Sequence, residues 1–73
     1  MQRISYDQSV VHFPIEHEGG SLKLVSLEGR VLRQWMVVPD QQQRYISIGA
    51  LSPGIYVLQF ISGRTQYIVK IYQ

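Results

Sequence analysis

One apolar stretch, residues 55–61, most constrains the fold of this chain. Its side chains are apolar on both faces of an extended strand, and only Gln59 is polar. A strand of this kind is typical of the centre of a sheet that is covered on both faces. We therefore expect the other segments to pack around it.

Turn signals bound this central strand on both sides. Pro53 followed by Gly54 predicts a type II turn, in which Gly54 takes a positive φ. Ser62 followed by Gly63 predicts a tight hairpin, and residues 65–73 predict its return strand. Residues 45–48 predict another strand, with Leu51 as an apolar anchor before the turn.

The first half of the chain predicts four strands: a short edge strand over residues 4–6, and longer strands over 9–17, 21–27 and 30–38. Strict alternation in the second predicts that Val11, Phe13 and Ile15 face the core. Residues 18–20 and 39–43 predict turns or loops, and Glu28 followed by Gly29 predicts a two-residue hairpin. With about seven strands and no helical period, the sequence predicts a small antiparallel β-sandwich of immunoglobulin-like class.

Composition limits the classes of function. The 73 residues have a net charge of +2 and no cysteine, so we expect one domain with a small core and no disulfide. The basic residues are scattered, whereas a nucleic-acid interface needs a concentrated basic surface. No run reaches the roughly 18 apolar residues of a membrane-spanning helix.

No constellation of residues indicates catalysis or metal binding. His12 and His17 are the two histidines; in one strand they face opposite sides, so they cannot share a metal, and we expect both to face solvent. Glu16 and Glu18 share a face but have no partner acid or base nearby in sequence. We predict a protein that is not an enzyme, with no catalytic residue, cofactor or metal.

Trp35 and the five tyrosines leave an alternative open. In a domain this small, aromatic side chains are needed to fill the core. Exposed ones could instead form a platform for a sugar ring. The alternative function is therefore a glycan- or protein-binding accessory sandwich.

Three stretches, in order and spacing, resemble the type A C-terminal sorting domain of the type IX secretion system of Bacteroidetes. They are residues 22–32 (LKLVSLEGRVL), 51–57 (LSPGIYV) and 67–73 (YIVKIYQ). The family's initial Pro-Asn-Pro motif is missing, and the chain ends in Tyr72 and Gln73 where a basic residue is more usual. The matched motif residues are Gly29, Arg30, Leu51, Gly54, Tyr56 and Lys70.

The resemblance implies a non-enzymatic export signal. Residues 1–73 would be the last domain of a longer secreted protein, read by an outer-membrane translocon and removed by a sortase-type surface protease. Its route would run from the periplasm to the outer-membrane surface of a Gram-negative bacterium. Gly29 and Gly54 would build the fold by turn geometry and Tyr56 by packing. The tail that is read would present Arg64, Tyr67, Lys70, Tyr72 and Gln73.

An open sheet edge and a small core also favour self-association. Unpaired backbone groups at an edge can accept a strand from another copy. We therefore predict a weak homodimer, formed by edge pairing or strand exchange.

Overall fold

The computed structural model describes residues 4–7, 10–47 and 51–73, and this part of the chain forms seven antiparallel strands and no helix. In chain order the strands are β1 Ser5–Asp7, β2 Val10–His12, β3 Gly20–Ser26, β4 Val31–Val37, β5 Gln43–Tyr45, β6 Ile55–Ser62 and β7 Thr65–Tyr72.

The strands form two sheets, which confirms the small antiparallel sandwich. One sheet has three strands in the order β1-β2-β5, and the other has four in the order β4-β3-β6-β7. Strand β6 lies between β3 and β7, so its central position is also confirmed. Two hairpins, β3–β4 and β6–β7, are joined by the pairing of β3 with β6, in which Leu22 lies opposite Phe60 and Leu24 opposite Leu58.

The core lies on the inner face of the four-stranded sheet. Alternation along β3 and β6 directs Leu22, Leu24, Leu58 and Phe60 inward, and each is fully buried. Val11 from the three-stranded sheet is also fully buried and belongs to the same cluster. Burying side chains of this size contributes about 1.5–3 kcal/mol each, so this layer carries most of the stability.

The outer face of β6 differs from expectation. Val57, Gln59 and Ile61 are half-buried, and Ile55 is 37% exposed. The prediction that both faces are covered is therefore wrong for the described residues. The neighbouring side chains on β3 and β7 cover these residues in part. They are therefore half-buried although no second sheet packs on this face in the described part of the chain.

The second strand is shorter than predicted. It ends at His12, and the Phe13 N–H donates to the Gln42 carbonyl at 2.9 Å. Pro14 has no N–H to continue a ladder, so the chain leaves the sheet there. Ile15 is consequently 63% exposed, and its predicted place in the core is wrong.

Two loop predictions also need correction. Strand β5 begins at Gln43 and ends at Tyr45, because these three residues are the ones that pair with β2. Two predicted strand limits, Ile48 and Ser9, lie outside the described residues.

The hairpin between β3 and β4 has a four-residue loop, whereas a two-residue loop was expected. Its turn is closed by the Gly29 N–H on the Ser26 carbonyl at 3.0 Å, with Gly29 at φ 90°.

Gly54 does not have the expected conformation. A positive φ occurs at Gly19, Gly20, Gly29 and Gly63 among the described glycines, and not at Gly54. The type II turn is therefore wrong. The Gly54 N–H and carbonyl instead pair with the Gln73 carbonyl and N–H, at 3.2 and 2.8 Å, so Gly54 extends the β6–β7 ladder.

Two glycine substitutions should therefore differ strongly in their effect on the free energy of unfolding. In Gly20→Ala the new Cβ would lie 1.9 Å from the Ile61 carbonyl oxygen, at φ +151°, so the β3–β6 pairing must open. We expect a loss of about 3 kcal/mol in the free energy of unfolding. In Gly54→Ala the Cβ meets only the Tyr56 ring, at 3.9 Å, and the change should stay within about 0.5 kcal/mol. Urea denaturation measures both; equal losses would contradict this assignment.

Candidate functional site

One groove brings together motif residues from separate parts of the sequence. It lies where the β3–β4 hairpin meets the segment before β6, and its volume is about 720 Å³. We call it the motif groove; six of the residues that line it are Leu27, Glu28, Arg30, Leu51, Gly54 and Tyr56. Gly29 lies in the hairpin loop between two of them. Five of the six predicted motif residues therefore line or adjoin one surface.

Tyr56 holds one wall of the motif groove. Its hydroxyl donates a hydrogen bond to the Ser52 carbonyl, and its ring lies against Gly54. The ring is half-buried and packs on the core. The two-residue spacing of Gly54 and Tyr56 thus places the ring back over the bend that it closes, which agrees with the packing role expected for Tyr56.

The end of the chain is attached beside this groove. The reciprocal backbone bonds between Gly54 and Gln73 hold the last residue at the groove wall. Tyr72 lies opposite Ile55 in the β6–β7 ladder, and Ile55 also lines the groove. Sequence reasoning assigned Gly54 to a turn and missed this attachment, because no local pattern reports a pairing partner.

The chemistry of the motif groove suits binding. Leu51 is half-buried, and Leu27 projects from the hairpin with 63% of its surface exposed. Glu28 and Arg30, of opposite charge, stand on the same hairpin. The lining residues include no histidine or cysteine. A ligand would meet a mixed surface of leucine, tyrosine and charged side chains.

The predicted tail residues are divided between surfaces. Tyr67 faces inward, with its ring stacked on Phe60 at a centroid distance of 5.8 Å. Lys70 and Tyr72 are exposed on the outer face, and Arg64 lies in the β6–β7 turn at the far end of the strand. Of these residues, only Tyr72 and Gln73 lie near the motif groove.

The aromatic side chains do not form a common platform in the described part of the chain. Tyr6, Trp35, Tyr56 and Tyr67 are half-buried against the core. Tyr45 and Tyr72 are each 72% exposed, on different sheets. Most of the described aromatic residues therefore fill the core.

His17 is not the solvent-facing residue that was expected, whereas His12 is exposed. The His17 Nδ1 accepts a hydrogen bond from the Gly19 N–H at 3.0 Å. Its Nε2 therefore carries the hydrogen and lies 2.7 Å from the Gln41 carbonyl. The ring also meets Phe60 edge-on at 5.2 Å. This half-buried histidine joins the segment before β3 to the loop before β5, an arrangement that its position in the sequence does not reveal.

The described ranges contain no candidate metal site and no candidate membrane-spanning helix. No group of three metal-ligating side chains is close enough to hold an ion there. None of the described residues belongs to a helix that could cross a membrane.

The two histidines provide a matched test of the His17 contacts. His17→Ala removes two hydrogen bonds and the contact with Phe60, and leaves the Gln41 carbonyl and the Gly19 N–H without partners. We expect a loss of about 2 kcal/mol in the free energy of unfolding. His12→Ala should change it by less than about 0.5 kcal/mol. Chemical denaturation of both variants gives the comparison, and similar values for the two would refute the structural role of His17.

Comparison with known proteins adds the family. A profile described as a secretion system C-terminal sorting domain matches residues 4–72. No curated protein and no solved structure matches the chain significantly. The profile covers nearly the whole chain, including both walls of the motif groove, and the seven-stranded sandwich agrees with the expected fold. This chain belongs to the family of C-terminal sorting domains of the type IX secretion system.

Proposed function

We propose that this domain is the signal by which the type IX outer-membrane translocon recognises an attached cargo and delivers it to the cell surface. We further propose that the translocon binds the motif groove together with Tyr72 and Gln73. The observation that carries the second proposal is the convergence of Arg30, Leu51, Gly54 and Tyr56 on one groove, beside the end of the chain.

The form of the groove supports recognition by an extended segment of a partner. The apolar side chains of Leu27 and Leu51 can pack against one or two aliphatic side chains of the partner, and each buried methylene contributes about 0.8 kcal/mol. Glu28 and Arg30 at the rim can fix the orientation of the partner by charge. Tyr72 extends this surface onto the outer face of the four-stranded sheet through its pairing with Ile55.

The proposed role needs no chemistry from the domain itself. Recognition requires only that a partner bind the groove by its shape and charge, and no bond of the domain is made or broken in that step. Removal of the domain at the outer-membrane surface would then be the work of a sortase-type protease that cuts before this domain. The proposed route is export through the periplasm to the surface of a Gram-negative bacterium.

Substitutions in and away from the motif groove test which surface is read. Leu27 and Ile15 are each 63% exposed, and they lie in different loops. In a cargo fused to this domain, Leu27→Glu places a carboxylate among the apolar lining residues of the groove and should lower surface delivery about tenfold or more. Ile15→Glu should leave delivery unchanged. Surface labelling of the cargo in cells measures both, with the circular dichroism of each purified domain as the folding control. Normal delivery of a folded Leu27→Glu variant would exclude the groove.

The end of the chain requires two kinds of variant. Deletion of residues 69–73 should abolish export while the cargo still folds. It also removes the buried Ile71 and the bonds of Gln73 to Gly54, so the domain itself loses stability. Tyr72→Ser keeps the core and the backbone pairing, and should lower delivery with the fold unchanged. Tyr45→Ser alters an equally exposed tyrosine on the other sheet and should have no effect. Unchanged delivery of both the deletion and Tyr72→Ser would overturn the proposed role of the tail.

A further inference from the structure

The edges of the two sheets differ in how well they are protected. The edge strands are β1 and β5 in one sheet and β4 and β7 in the other. An unprotected edge is a template for pairing with another chain, and short strands, charges, bulges and covering segments all reduce that tendency. Strands β1 and β5 have three residues each, so they are poor templates.

Strand β7 is long but protected. Lys70 is exposed near the end of this strand, and a lysine on an edge opposes pairing. Strand β1 packs against β7, and Gln73 is already paired with Gly54. These features leave little of the β7 edge available to a second chain.

Strand β4 is protected along its first half only. The register of the β3–β4 pair shifts between Leu24 and Val25, and a bulge of this kind disrupts an edge. The Arg33 Nη1 also donates to the Leu32 carbonyl at 3.1 Å. Residues 34–37 carry no charged side chain, and Met36 is 71% exposed. Among the described strands, β4 contacts β3 alone.

We propose that residues 34–36 of β4 pair antiparallel with the same residues of a second copy, around a two-fold axis that passes between the two Trp35 residues. The two four-stranded sheets then become one continuous sheet. A second copy fits this edge because identical strands meet antiparallel across a two-fold axis and use the same backbone groups on each side. The segment itself carries no charge, so no like charges lie directly opposite each other across the pair. The contact is far smaller than the roughly 800 Å² per partner of a stable interface, so the dimer is weak.

Sedimentation equilibrium of the 73-residue chain up to about 1 mM tests the pairing. Met36→Lys places a charge on the open edge of both copies and should raise the dimer dissociation constant about tenfold or more. Ile68→Lys is the matched control, since Ile68 is 61% exposed on the other edge strand, β7. It should leave the constant within about twofold of that of the unaltered chain.

A second variant tests the same contact in case Met36→Lys alters the fold of the single copy. Gln34 lies opposite Lys23 in the β3–β4 pair, so Gln34→Glu places a carboxylate beside a lysine within each copy and should not weaken the fold. Between copies the two substituted residues become diagonal neighbours on the same face, about 7–8 Å apart, so like charges approach and should raise the dissociation constant as Met36→Lys does. The proposal is overturned if the unaltered chain stays monomeric at about 1 mM, if Ile68→Lys disrupts the dimer as strongly as Met36→Lys, or if a folded Gln34→Glu variant dimerises normally.

Discussion

The pairing of β3 with β6 is the interaction on which the rest of the structure depends. It joins two hairpins that lie far apart in the sequence, and it aligns Leu22 and Leu24 with Phe60 and Leu58 on one face. A shift of one residue would turn every one of these side chains to the opposite face. Gly20 allows the close approach at one end of this pair, where its backbone lies against the Ile61 carbonyl. Both the core and the positions of the two hairpin ends follow from this single register.

The motif residues of the family act by position within that framework. Gly29 turns the chain at the β3–β4 hairpin, and Tyr56 closes the bend before β6 through its bond to Ser52. Because β3 and β6 are neighbours, these two features meet at the same end of the sandwich. Lys70 lies further along β7, opposite Val57, and does not line the groove. Most of the motif residues therefore lie at one end of the sandwich. The opposite end is held by other contacts, such as the hydrogen bonds of His17.

Local patterns predicted much of the fold. The apolar run of residues 55–61 correctly indicated β6, the strand expected over residues 21–27 agrees with β3 to within one residue at each end, and Gly63 correctly indicated the last hairpin. The failures came where a distant partner decides the conformation. Gly54 reads as a turn glycine beside Pro53, yet its backbone is paired with Gln73. His17 was expected to face solvent from the end of a strand, yet the chain has already left the sheet there, and the ring is hydrogen-bonded to Gly19 and Gln41.

The pairing of Gln73 with Gly54 determines when the proposed recognition surface is complete. In the unfolded chain Gln73 has no fixed neighbour, and the two segments that form the groove walls, residues 26–32 and 51–56, are not held together. All three come together only after β6 has paired with both of its neighbours. Under the proposed recognition, a partner that contacts all three would bind the folded domain and would not bind a chain in which β7 is still unpaired.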